Sequence, residues 1–353
     1  MRLKKTFVLI LLTLVLSNCK NTKNKEQDKT TYPSQLIPFL TNWNLILGDG
    51  SNVGHPNHFE NNDYFYTSKD EENNWVVFKA PNGGDTHGTS NNTRTELAQT
   101  KKWFAKSSEA SLSAKVKVMK VSSTGDKTVA ASHSVVVGQI HSADKHENEP
   151  LKIFYKKFPG HTKGSVFWHY EINTEGTDNS LRWDFSTAVW GNDFSVVGPE
   201  KNMTPEEPIE GIKLGEEFSY HIYVKDGVMT LNFTSDGHET KTFTKNLIVS
   251  EYTTKNNIPE QTQRMFFPIG QDGVERENAY LEEGLFFKLG AYNQTNGKSP
   301  KVNKHWCSGA ETHGGDVQKQ YKDGNYAEVW FRDVEIMTSE DAVSNQGYFT
   351  KND

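Results

Sequence analysis

Residues 218–233 read FSYHIYVKDGVMTLNF. Phe218, Tyr220, Ile222 and Val224 recur at every second position, and Met229, Leu231 and Phe233 do so again after Asp226-Gly227. Successive side chains of a strand point to opposite faces, so a period of two marks two half-buried strands. An Asp-Gly pair tolerates the positive φ angles of a primed turn, whose twist matches that of the strands it joins. The stretch therefore predicts a β-hairpin with one face in a core and the other in water.

The same signal continues on either side. Leu112, Ala114, Val116 and Val118 alternate with Ser111, Ser113, Lys115 and Lys117, and residues 326–336 form a long run rich in aromatic and β-branched residues. Helical candidates are few: residues 34–39 and residues 206–212, the latter against the objection of Pro208. No internal repeat of fixed period is present. Many strands with few helices predict an all-β sandwich or jelly roll. Residues 142–150, 173–180, 199–211 and 253–263 are too polar and irregular for strands, and long loops of this kind often form functional walls or lids.

Three other strand-like runs carry polar residues at alternate positions. They are Arg94-Thr95-Glu96-Leu97, Gln139-Ile140-His141, and Phe286-Phe287-Lys288-Leu289-Gly290-Ala291-Tyr292-Asn293-Gln294. In extended backbone Arg94 and Glu96 share a face, as do Gln139 and His141, and as do Lys288, Tyr292 and Gln294. Leu97, Ile140, Phe287, Leu289 and Ala291 fall on the opposite faces. A polar face of Arg, Gln, His, Lys and Tyr, backed by an apolar one, predicts a binding groove laid across a sheet.

These three blocks, in this order and spacing, resemble the alginate lyases of polysaccharide lyase family 7. Trp43-Asn44-Leu45-Ile46-Leu47 and Val77-Phe78-Lys79-Ala80-Pro81 agree with it, and the resemblance spans residues 33–337. It implies a concanavalin-like β-jelly roll whose concave sheet carries the groove. It also implies β-elimination of a 1,4-linked uronate chain, giving unsaturated oligosaccharides or monosaccharide. That reaction removes the C5 proton beside a carboxylate while the 4-linked oxygen leaves. The site must therefore neutralise the carboxylate, supply a base and protonate the leaving oxygen.

Arg94 can hold the carboxylate in a two-pronged contact, and Gln139 can add a hydrogen bond to it. His141 is the natural base when neutral, and Tyr292 the natural acid. For the uronate epimer whose C5 proton lies on the other side of the ring, Tyr292 serves as base as well. The resemblance implies the same roles. Glu96 is expected to orient Arg94, and Lys288 and Gln294 to contact neighbouring sugars. Two departures stand out: Ala98-Gln99 follows Leu97 where many relatives place a second arginine, and Ile140 replaces Val. In the family Ile accompanies activity on guluronate or mixed blocks. Internal and end-acting cleavage both stay open.

Other chemistries fit less well. A retaining glycoside hydrolase of the Glu-x-Asp-x-x-Glu type is broken at Asn173 and Gly176 in the nearest run, 171–176. No His-Glu-x-x-His motif is present, the 12 histidines are scattered, and His55 and His58 sit among Gly54, Pro56 and Asn57. No metal or other cofactor is expected, with a structural calcium left open. The alternative function is a non-catalytic, lipid-anchored polysaccharide-binding jelly-roll module, which would have no use for His141 and Tyr292 together.

The chain has 353 residues, 34% of them hydrophobic, and a formal net charge of -6. No global basic field favours nucleic acid, and attraction to the polyanion alginate must be local to the groove. Arg2, Lys4 and Lys5 precede an apolar run, residues 7–16, that is too short to span a bilayer. It ends at Leu16-Ser17-Asn18-Cys19, which resembles a bacterial lipobox with Cys19 as the acylated (palmitate-bearing) residue. An ordinary signal peptide is the other reading. Cys19 and Cys307 are the only cysteines, so lipidation excludes an intramolecular disulfide. The expected organisation is a lipoprotein signal peptide (1–18), a lipid-anchored flexible linker (19–32) and a catalytic jelly roll (33–353). The expected state is a monomer on a bacterial envelope membrane, the outer one.

Overall fold

The computed structural model describes residues 31–86, 90–144, 149–172, 183–193, 205–249 and 280–351. The expected signal peptide (1–18), Cys19 and nearly all of the expected linker lie outside the described residues. So do segments 173–180 and 253–263 and parts of 142–150 and 199–211. Among the described residues the strands are, in chain order, β1 (Trp43–Ile46), β2 (Asn52–Gly54), β3 (Phe65–Lys69), β4 (Asn74–Pro81), β5 (Arg94–Gln99), β6 (Lys101–Phe104), β7 (Ala110–Lys120), β8 (Ser134–Ser142) and β9 (Leu151–Lys156). They continue as β10 (Lys163–Ile172), β11 (Trp183–Trp190), β12 (Ile212–Lys213), β13 (Glu217–Lys225), β14 (Val228–Thr234), β15 (Lys241–Asn246), β16 (Gly284–Asn293), β17 (Tyr326–Thr338) and β18 (Val343–Ser344).

Two sheets result. The first has the order β11-β10-β9-β8-β16-β5-β1-β2, with β12 beside β10, β6 beside β16 and β18 beside β6. The second has the order β15-β14-β13-β7-β17-β4-β3. Each of these pairings is antiparallel, as the all-β jelly-roll sandwich requires. The hairpin read from the sequence is β13–β14, with Ile222 opposite Leu231 and positive φ at Asp226 (50°) and Gly227 (77°). Alternation in residues 111–118 becomes the alternating burial of β7, and the run at 326–336 becomes β17.

Between the sheets, Leu97, Ile140, Phe287, Leu289 and Ala291 of the first meet Phe78, Leu112, Val116, Ile222, Val329 and Phe331 of the second, all fully buried. Each large side chain so buried contributes roughly 1.5–3 kcal/mol. The opposite face of the first sheet is left for the polar residues.

The short helix expected over 34–39 forms as α1 (Pro33–Leu36) followed by a 3-10 turn, Pro38–Asn42. Residues 206–212 are not helical; the chain there passes through Pro208 into β12. Two further helices had no expectation behind them: α2 (Val317–Asp323) and α3 (Gln346–Lys351).

Candidate active site

Strand register assembles the site. β5 pairs with β16 so that Arg94 lies opposite Tyr292, Glu96 opposite Gly290 and Ala98 opposite Lys288. On the other side of β16, β8 places Gln139 opposite Lys288 and His141 opposite Phe286. Directly opposed residues share a face. With Leu97, Ile140 and Leu289 in the core, Arg94, Glu96, Gln139, His141, Lys288 and Tyr292 all project from the outer face.

Two backbone irregularities make this possible. The register of β8 shifts between Val136 and Gly138 against β9. Val135 and Val137 lie in the main core while Val136 lies on the outer face with Phe154 and Phe167. The bulge resets the alternation, so Gln139 and His141 face outward although odd-numbered residues before it face inward. Gly290 has φ +149°, and a Cβ there would stand 2.4 Å from the Thr95 carbonyl oxygen and 2.8 Å from Glu96 Cα. Only glycine lets β16 lie this close to β5 beside Glu96.

Glu96 is the hub. Its Oε2 lies 2.7 Å from Lys288 Nζ and 3.3 Å from Arg94 Nη1, and its Oε1 accepts from Gln139 Nε2. Burial opposes the charge on Glu96, but Lys288 and Arg94 outweigh it and hold the carboxyl below its ordinary value. Burial lowers Lys288, only partly offset by Glu96. Burial works against Arg94 too, yet Tyr292 and Glu96 more than compensate, so its guanidinium stays charged. The Arg94 guanidinium stacks 3.8 Å from the centre of the Tyr292 ring. Arg94 Nε and Gln139 Oε1 are buried with no hydrogen-bond partner among the described residues.

His141 Nδ1 lies 2.7 Å from the Ser142 carbonyl oxygen, to which its N–H donates. That bond assigns the tautomer and leaves the lone pair on Nε2. Nε2 is 3.4 Å from Tyr348 Oη and 3.7 Å from Glu149 Oε1. Burial drives the imidazole down to about 4; Glu149 and the Ser142 carbonyl pull it upward, and Lys288 and Arg94 push it further down. At neutral pH the ring is therefore an uncharged base. Tyr292 is half-buried, with its hydroxyl 3.1 Å from Ser90 Oγ.

On the flank beyond His141, Lys152 Nζ lies 3.2 Å from Glu149 and 2.5 Å from Glu171. His169, Glu171 and Asp184 bring potential ligand atoms within 4.8 Å of one another. The Lys152 ammonium against Glu171 already supplies a cation there, so the donor set is an ion-pair network as it stands.

Of the residues read from the sequence, Arg94, Gln139, His141 and Tyr292 come together on one surface. Glu96 does hold Arg94, but also Lys288 and Gln139. Lys288 lies on the same outer face, 4% exposed, with its ammonium against Glu96. Gln294 lies past the end of β16, 2% exposed, with Nε2 donating to the Tyr292 carbonyl at 3.3 Å. Tyr348, Ser90 and Glu149 were missed. Each comes from a loop or short helix that no strand periodicity marks.

The chain's similarities can now be set beside this geometry. The family model described as alginate lyase matches residues 38–338. A crystal structure of the exolytic PL7 alginate lyase AlyA5 from Zobellia galactanivorans is 57% identical, covers 88% of this chain and 98% of that one, and superposes with a TM-score of 0.82. An alginate lyase from Klebsiella pneumoniae is 27% identical over 266 residues, covering 66% of this chain and 79% of that protein. A crystal structure of the alginate lyase from Klebsiella pneumoniae shares the fold at 20% identity, with a TM-score of 0.61 over 88% of this chain and 99% of that one. The chain belongs to the alginate lyases of polysaccharide lyase family 7 and is a polysaccharide lyase.

Proposed function

We propose that this lyase divides its chemistry among four residues. Arg94 and the second N–H of Gln139 bind the uronate carboxylate, and the charge developing there in the transition state is stabilised by the same contacts. His141 Nε2 removes the C5 proton. The electrons of that bond form the C4=C5 double bond as the C4–O bond breaks, and Tyr292 Oη gives its proton to the departing oxygen. For the epimer with the opposite C5 configuration, Tyr292 supplies both functions. Glu96 and Lys288 keep Arg94 and Gln139 in place.

The observation that carries this reading is the outer face itself: a permanently charged guanidinium, a neutral imidazole with its lone pair free of Nδ1, and a phenol, all within three adjacent strands. The test is ultraviolet absorbance of the new conjugated double bond on mixing with alginate. Wild-type protein gives a rising signal. His141→Ala and Tyr292→Phe lose about 10²-fold or more of the rate while keeping much of the affinity. Full activity in either variant would refute the role given to that residue.

We further infer an end-acting mode on guluronate-containing or mixed blocks. The first part is supported by the 57% identity to an enzyme described as exolytic. The second is supported by Ile140 alone, whose side chain lies in the core and acts on preference only through the placing of Gln139 and His141. Attachment to a bacterial envelope membrane through Cys19 is supported by the basic, apolar and lipobox-like order of residues 2–19. Expression of the full chain with Cys19→Ser should move it from the membrane to the soluble fraction, and a variant that stays with the membrane would remove the anchor.

A further inference from the structure

Tyr348 lies beyond the family-matched region, 38–338, on the short helix α3, yet its side chain reaches the centre of the site. Its hydroxyl is 3.4 Å from His141 Nε2, and its ring stands edge-on to the imidazole, centroids 5.3 Å apart at 65°. The ring also packs on Phe286 at 4.8 Å. Phe286 in turn lies 5.2 Å from the imidazole on another side. Phe349 anchors the helix by packing, 8% exposed, with Phe286, Ala98 and Ala143.

Two separate contacts thus converge on one imidazole from α3. The ring contact, with Phe286 behind it, restricts rotation about the side-chain bonds of His141. The hydroxyl contact occupies the nitrogen that carries the lone pair, because Nδ1 is committed to the Ser142 carbonyl. A base whose lone pair accepts a hydrogen bond cannot at that moment accept a carbon-bound proton.

We propose that Tyr348 is a positioning residue that sets the plane of His141 through its ring and caps Nε2 through its hydroxyl until substrate displaces the cap. The inference rests on the reading of His141 as the base. In the resting enzyme the imidazole is held by Ser142 on one nitrogen and Tyr348 on the other, so its orientation is fixed before substrate arrives. Entry of the uronate moves the hydroxyl aside and leaves the ring as the wall that keeps Nε2 directed at C5.

The test uses the full chain with Tyr348→Phe and Tyr348→Ala. The first keeps the ring and removes the cap. Diethyl pyrocarbonate attacks an uncapped imidazole lone pair, and modification of the His141 peptide can be followed by mass spectrometry. In Tyr348→Phe, His141 should be modified about threefold faster or more, as loss of one hydrogen bond implies, with saturating alginate oligosaccharide restoring protection. KM should fall by a similar factor with kcat retained, because substrate no longer has to break the cap.

Tyr348→Ala should lose about tenfold or more in kcat, as a mis-set base does, while melting within a few degrees of wild type. Modification of His141 at the wild-type rate in Tyr348→Phe would overturn the cap. Equal kcat in the Phe and Ala variants would overturn the ring's part. An active His141→Ala enzyme would instead remove the base assignment, an outcome distinct from both.

Discussion

Glu96 is 2% exposed and holds two cations and an amide, each contributed by the same strand or by the strands to its side. A carboxylate in that setting is worth keeping only because its partners are equally buried: removing one member of such a cluster leaves the others uncompensated. Glu96→Gln preserves size and an acceptor for Gln139 but leaves Arg94 and Lys288 facing a neutral group. Stability should fall by about 3–5 kcal/mol, and turnover by about 10²-fold as Arg94 loses its orientation. Thermal melting and initial rates of absorbance increase measure the two effects, and a variant with wild-type values for both would show that the cluster is only decorative. The pH dependence follows from the sign of the shift. A carboxyl held below its ordinary value adds stability at neutral pH, and that contribution is lost as the pH falls through its folded-state value.

At the scale of elements, what could be read from the sequence was whatever rests on simple alternation. β7 and the β13–β14 hairpin bury every second side chain over a long run, β17 does so from Ala327 to Phe331 before a bulge near Asp333, and Asp226-Gly227 names its own turn. The faces of the three polar blocks were equally legible, since each is short and regular within itself. What joins them was not. All nine residues of β8 are buried, and its bulge beside Val137 changes which residues face the site without leaving a mark in hydrophobicity. The partners of Glu96 depend on register between separate strands, which no local pattern encodes.

The helix α2 escaped for a related reason. It is only seven residues long and has no apolar stripe; it is held by the Asp316 side chain capping Lys319 N–H, by Gly324 in the left-handed conformation, and by Gln320 exchanging hydrogen bonds with the Gly83 backbone. Tyr348 is hidden in the same way, because α3 is short and its importance lies in where it docks.

For the whole molecule, the puzzle is a lyase of net charge -6 acting on a polyanion. Net charge supplies no long-range attraction, so capture falls to cations local to the groove, Arg94 among them, felt within a Debye length of roughly 8–10 Å. A polymer interior brings many carboxylates against an acidic surface to place one of them correctly. A chain end brings fewer, and the end-acting mode proposed above would ease that repulsion. The end-acting mode then makes a sharp statement about products over time. Monosaccharide or the shortest unsaturated units should be present from the first minutes, while the bulk of the polymer stays long and the solution viscous as absorbance rises. Size-exclusion chromatography of samples drawn before about a tenth of the bonds have been cut decides the matter, because an internally cutting enzyme at that stage has already halved the chains many times. Early oligosaccharides of intermediate length, with viscosity collapsing ahead of absorbance, would sink the end-acting mode while leaving the residue roles untouched.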